Sequence, residues 1–187
     1  MHRIAFVSSL LVVLCSCSTY NTSQDTSSMP VPVPQAKAKE VSKPAVNYAA
    51  RMPSSISAPG QKTIIVDPNV HAWGAYDASG NLVRGGLATA GGDWCADIHR
   101  RCHTRSGTFH IQSLGAASCK SSIYPLPRGG APMPYCMFFN GNQGLHGSYN
   151  VVDGNASHGC VRLHVNDAEW IRFNFANIGT RVVVKPY

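Results

Sequence analysis

His146-Gly-Ser-Tyr-Asn-Val-Val-Asp-Gly-Asn-Ala-Ser-His-Gly-Cys-Val-Arg162 is the stretch around which the rest of the chain is organised. It opens on a histidine followed by glycine and closes on Ser157-His158-Gly159-Cys160-Val161-Arg162. A cysteine is a nucleophile only as its thiolate, so a thiol with a pKa of about 8.5 needs a base or a positive charge beside it. His146 and His158 are both placed to serve. Gly159, directly before Cys160, lets a substrate approach the backbone closely. Most cysteines near a histidine are merely buried or bridged; here the cysteine count argues otherwise.

The chain has 187 residues and seven cysteines. Cys15 and Cys17 lie in an N-terminal apolar stretch, which leaves five. An odd number in an exported domain points to one free thiol. Cys95, Cys102, Cys119 and Cys136 suffice for two bridges, and proximity in sequence selects Cys95 with Cys102 and Cys119 with Cys136 among three connectivities; Cys160 is left over. The net charge is +7, but from Lys62 onward eleven Lys/Arg face seven Asp/Glu, a net +4. Such mild basicity favours anionic polymers or membrane surfaces, or serves solubility alone. No basic-and-aromatic pattern points to nucleic acid.

Met1-His-Arg3 and the apolar run Ile4 to Leu14 read as a secretory signal, too short for a permanent membrane span. Leu14-Cys-Ser-Cys17 resembles the lipobox of bacterial lipoproteins, which implies cleavage before Cys17 and its lipidation; an ordinary cleaved signal is the alternative. Ser18, rather than Asp, implies an exported, periplasmic protein anchored in the outer membrane. Residues 18–61, rich in Ser, Thr, Pro, Ala and Lys, bury too little apolar surface to fold and are expected to be a flexible tether. As a coil its ends average roughly 40 Å apart. The expected organisation is therefore signal 1–17, tether 18–61 and one domain over 62–187, large enough for a core of its own.

Within the domain, Lys62 to Asp67, Val70 to Tyr76 and Leu82 to Ala90 read as successive strands, separated by Asp67-Pro-Asn69 and by the hairpin-type Asp77-Ala-Ser-Gly-Asn81. Short strands at such intervals indicate a mainly β sandwich or barrel. Asn166 to Phe175 is the clear helix candidate, with Asn166 as its cap, and Thr180 to Lys185 is a last strand. Cys95, His99, Cys102 and His103 loosely resemble a zinc knuckle, but no second ligand pair stands at structural-zinc spacing, and a disulfide loop fits an oxidising compartment better. His164, His110 and His99 read as loop or core histidines. The run Pro132 to Phe139 supplies core residues and side chains to wall a groove.

On these residues the chain resembles the L,D-transpeptidase family with a YkuD-type catalytic domain, over about residues 62–187. The resemblance rests on Ile64-Ile-Val-Asp67 through Tyr76 and Gly80, on Thr104 to Phe109, on Met133-Pro-Tyr135, and above all on His146-Gly147 with Ser157 to Arg162. It implies a YkuD-like β-sandwich with one or two short helices, Cys160 as nucleophile and His146 as base. It further implies a carbonyl of Gly147 or Ser148 on the other ring nitrogen, and amides of His158, Gly159 and Cys160 as the oxyanion hole. Arg162, Ser157, Tyr135 and Phe138 are then the expected substrate-binding side chains, and His158 either tunes the site or is structural. The four bridge-forming cysteines depart from the family motif.

The implied reaction is acyl transfer on peptidoglycan stem peptides through a Cys160 thioester, forming 3-3 crosslinks or attaching a protein to the wall, with no metal or organic cofactor. A carboxypeptidase or protein-peptidoglycan amidase on the same scaffold, and a non-catalytic wall-binding lipoprotein, are the alternatives. A zinc site built from His146, His158, Cys160 and His164 is disfavoured.

Overall fold

The computed structural model describes residues 46–187. The signal, Cys17 and most of the tether therefore lie outside the described residues. Thr63-Ile-Ile-Val-Asp67 forms β1 (Thr63–Asp67), the middle of a five-stranded sheet with β2 (Ala72–Tyr76), β3 (Leu82–Leu87), β4 (Gly107–His110) and β9 (Arg181–Val184), in the order β3-β2-β1-β9-β4. β1 and β9 run parallel; the other pairs are antiparallel. β5 (Ser113–Leu114), β6 (Met137–Asn140), β7 (Gln143–Ser148) and β8 (Val161–His164) form a second sheet in that order, with β7 and β8 parallel. The architecture is the expected mainly β one.

One core lies between the sheets. Ile64 and Val66 of β1, Trp73 and Ala75 of β2, and Val182 and Val184 of β9 meet Phe139 of β6, Leu145 of β7 and Val161 and Leu163 of β8. Fully burying one such side chain contributes about 1.5–3 kcal/mol. In β1 every residue is buried. Side chains alternate across a strand, so Ile65 points to the opposite face, where Ala72, Tyr76 and Met52 join it.

Met52 belongs to the stretch expected to be tether, and the expected boundary at residue 61 has to be moved. A 3-10 turn, Tyr48–Arg51, is followed by residues that pair with the turn between β2 and β3 and with the adjoining ends of both strands: the Leu82 amide donates to Ser54 O (2.9 Å), the Ile56 amide to Gly80 O (2.9 Å), and Tyr76 Oη to Pro53 O (2.9 Å). The physical reason is that the outer face of β1 and β2 is apolar and needs cover. Composition averaged over the segment hides the two residues, Met52 and Ile56, that supply it.

β8 passes directly into α1 (Val165–Trp170), which continues as a π-helical turn, Ile171–Phe175. The helix starts two residues before an Asn166 cap would place it: His164 is its cap, without a side-chain cap bond. Strand geometry persists to His164, so no residue is left to form a separate turn. Ala168, Ile171 and Phe175 face the core, and Asp167 is held by Arg84 of β3 at 2.6 Å.

Candidate active site

Parallel pairing of β7 with β8 sets His146 beside Arg162, and Leu145 beside Val161. Leu145 and Val161 turn into the core. By strand alternation the His146–Arg162 pair faces the other way, into an open cavity of about 800 Å³ that Cys160 also lines. Cys160 is the free cysteine among the described residues; Cys95 is bonded to Cys102 and Cys119 to Cys136, each with Cα atoms 6.1 Å apart. His146 is buried (6% exposed), whereas Cys160 and Arg162 are partly open to the cavity.

The imidazole is fixed from its far side. Nδ1 of His146 donates to the carbonyl of Gly147 (2.8 Å), which leaves Nε2 as the unprotonated, basic nitrogen. Of the two carbonyls expected for this role, Gly147 supplies it; Ser148 turns its hydroxyl to the Asn150 amide at 3.1 Å. Gly147 also donates its own amide to Pro134 O (2.7 Å), and a Cβ there would meet Pro134 O and Val165 Cα at 3.1 Å, so a larger residue would press these backbone atoms apart by a few tenths of an ångström.

Burial pushes the Cys160 thiol above its ordinary pKa, against the opposing pull of a hydrogen bond from the Gly144 backbone and of the Arg162 charge. The sulfur lies 3.3 Å from Asn142 O, to which the thiol donates. Burial also pushes His146 below the ordinary imidazole value; its contact with the Gly147 carbonyl opposes this and Arg162 reinforces it. Both shifts favour the neutral thiol and the neutral imidazole over the charged forms.

The turn before Cys160 is built by Ser157. This buried hydroxyl donates to Cys160 O and accepts from the Gly159 amide at 3.1 Å. Two expectations change as a result. Ser157, which also lines the cavity, gives its hydroxyl to the loop, and the Gly159 amide donates to that hydroxyl rather than standing free for an oxyanion. Among the described residues the His158 and Cys160 amides have no such acceptor. Gly159 is still essential to the turn, with φ of +116°, where L side chains are strained.

Phe138, Ser157, His158 and Arg162 line the cavity. Tyr135 does not: its hydroxyl donates to Glu169 Oε1 (2.8 Å) and its ring packs edge-on against Phe173, on the helix side. The sequence reading missed Asn142 and Gly144, whose roles belong to backbone atoms that carry no residue signature. It also missed Asp97 and Tyr124, which meet His158 from loops distant in sequence.

Cys95, Asp97 and His158 lie within 4.8 Å of one another, but the Cys95 sulfur is bonded to Cys102 and has no thiolate to give a metal.

Residues 61–184 match the model of the YkuD family, described as the L,D-transpeptidase catalytic domain. The chain belongs to this family. Among solved structures it is similar to an L,D-transpeptidase from Xylanimonas cellulosilytica, at 25% identity and a TM-score of 0.59 over 72% of this chain and 65% of that one. One from Mycobacterium smegmatis shows 18% identity and a TM-score of 0.55 over 67% and 59% of the two chains. One from Stackebrandtia nassauensis shows 20% identity and 0.54 over 71% and 58%. The chain thus covers slightly under two thirds of the length of these structures, and the two less identical ones speak for the YkuD fold alone. No curated protein matches.

Proposed function

We propose that this YkuD domain is a peptidoglycan L,D-transpeptidase working through a Cys160 thioester. The observation that carries the reading is the free Cys160 sharing one cavity with His146, whose Nδ1 is engaged by Gly147 O, while the other four cysteines of the domain are bridged. The donor is a tetrapeptide stem, cut between the L-centre of diaminopimelate and the terminal D-alanine. As the sulfur attacks the carbonyl carbon, its proton passes to His146 Nε2. The His158 and Cys160 amides receive the developing oxyanion. Collapse expels D-alanine, whose amine takes the proton from His146, and leaves the thioester. An incoming amine then gives up a proton to His146 and takes the acyl group, restoring the thiol. No metal or organic cofactor enters these steps.

Arg162 has two roles in this scheme: its charge favours the thiolate over the thiol, and its guanidinium, together with the wall formed by Phe138, receives the stem peptide. The acceptor amine is a second stem peptide, giving a 3-3 crosslink, or a lysine of a wall-attached protein. Acting on peptidoglycan requires export, and the motif ending at Cys17 supports a lipid anchor in the outer membrane. Mass spectrometry with a tetrapeptide donor tests the mechanism. An acyl adduct on Cys160, absent in Cys160→Ala and slowed in His146→Ala, is the expected result; an adduct elsewhere, or none, overturns it.

A further inference from the structure

The two disulfides outside the family motif close loops that meet on one side chain. Asp97, inside the Cys95–Cys102 loop, places both carboxylate oxygens 2.9 Å from His158 Nε2. Tyr124, inside the Cys119–Cys136 loop, sets its ring against the same imidazole, tilted by 37° with centroids 4.4 Å apart. His158 precedes Gly159 in the turn whose inner side is tied by Ser157, and the first loop grips the base of that turn as well. The Gly92 amide donates to Ser157 O (2.9 Å), the Cys102 amide to Gly92 O (3.2 Å), and Cys95 Sγ lies 3.7 Å from Ser157 O. Carboxylate, imidazole and aromatic ring thus form a chain from one bridged loop to the other across the outer side of the turn.

We infer that Asp97 is a positioning residue for acyl transfer: held by the Cys95–Cys102 bridge, it clamps His158 against Tyr124 and so aims the His158 and Cys160 amides at the carbonyl under attack. The inference rests on the transpeptidase reading for its chemistry, but the clamp itself is a property of the fold. The partly exposed Asp97–His158 pair adds little to stability; its effect is orientation, where a misplaced donor costs rate steeply. The lowering of the Asp97 pKa by His158 agrees with the contact. The same geometry makes the site sensitive to thiol reductants, because opening Cys95–Cys102 releases the carboxylate.

Two reactions of Cys160 separate aiming from folding. Acylation by a tetrapeptide donor builds an oxyanion, whereas alkylation by iodoacetamide does not. Asp97→Ala is expected to slow acylation about 10- to 100-fold while alkylation stays within about twofold of the parent, with Asp97→Glu recovering part of the loss. Cys95→Ser with Cys102→Ser should reproduce the defect. Hydrogen exchange supplies a readout independent of turnover: the Gly159 and Gly92 amides, which are bonded to Ser157 Oγ and Ser157 O, should exchange faster in Asp97→Ala. Acylation at the parental rate, or acylation and alkylation falling in proportion, overturns the inference. If the parent is not acylated at all, the transpeptidase reading fails, and an aiming role for Asp97 fails with it; faster exchange in Asp97→Ala would then show that the clamp alone survives.

Discussion

Each sheet contains one parallel pair of strands, and the two pairs are put to opposite uses. In β1 and β9 both faces are covered, one by the inter-sheet core and the other by Met52, Ile56 and their neighbours, and the facing residues are Ile64 with Val182 and Val66 with Val184. In β7 and β8 only one face is core. The other carries His146 and Arg162 toward an open cavity, and on β7 the position two before His146 on that face is Gly144, without a side chain. A parallel pair sealed on both sides contributes stability, whereas one sealed on a single side contributes stability from one face and holds reactive groups at fixed spacing on the other.

The largest effects should come from the open pair. Cys160→Ala is expected to reduce tetrapeptide turnover to background and His146→Ala to reduce it about 100- to 10,000-fold, with melting temperature changed far less than by a core substitution. A variant retaining appreciable turnover without the thiol would break the contrast. On the sealed pair, Ile64→Ala should destabilise by about 2–5 kcal/mol in denaturant unfolding, while the folded fraction still alkylates Cys160 at the parental rate. Leu145→Ala, at the inner face of the open pair, should cost a similar amount and also slow acylation, because β7 carries His146.

The pH dependence sharpens the comparison further. Because burial raises the thiol pKa, the alkylation rate of Cys160 should climb with pH above the range of an ordinary cysteine, and Arg162→Gln should move the profile higher still by removing the charge that opposes the shift. Burial lowers His146, so the folded state resists protonation that the unfolded chain accepts below its ordinary value of 6.5; this contribution to stability is lost as pH falls through that region. His146→Gln should flatten that part of the stability profile. The smallest effect is expected at Asp153, which Arg51 and His71 hold down to about 2. Its contribution is present above the unfolded value near 3.8 and lost as pH falls toward 2. The pair is exposed, so Asp153→Asn should shift the melting temperature at neutral pH by no more than about 2 °C.

Strands with their own turn chemistry were legible from the residues. Asp77 to Asn81 closes a hairpin through Asp77 Oδ1 and the Asn81 amide (2.9 Å), as its composition suggested. β7 and β8 were not legible as strands, because glycine, histidine and arginine break the apolar alternation on their cavity face. Tyr135 was assigned to the substrate from its neighbourhood in the motif, but it lies outside the cavity lining, since proximity in sequence does not set the direction of a side chain. Asp97 carried no signal at all, since its partner lies 61 residues away.

By itself the sequence determined the inventory: one cysteine beyond two possible bridges, a histidine followed by glycine, and a glycine where the backbone turns before the thiol. These are local matters of count, parity and φ preference. Only the tertiary structure decided which carbonyl holds His146, which amides remain free near Cys160, and that two bridged loops converge on His158. Such facts depend on strand register and on loops brought together across the sheet, and no short-range preference of the chain encodes them.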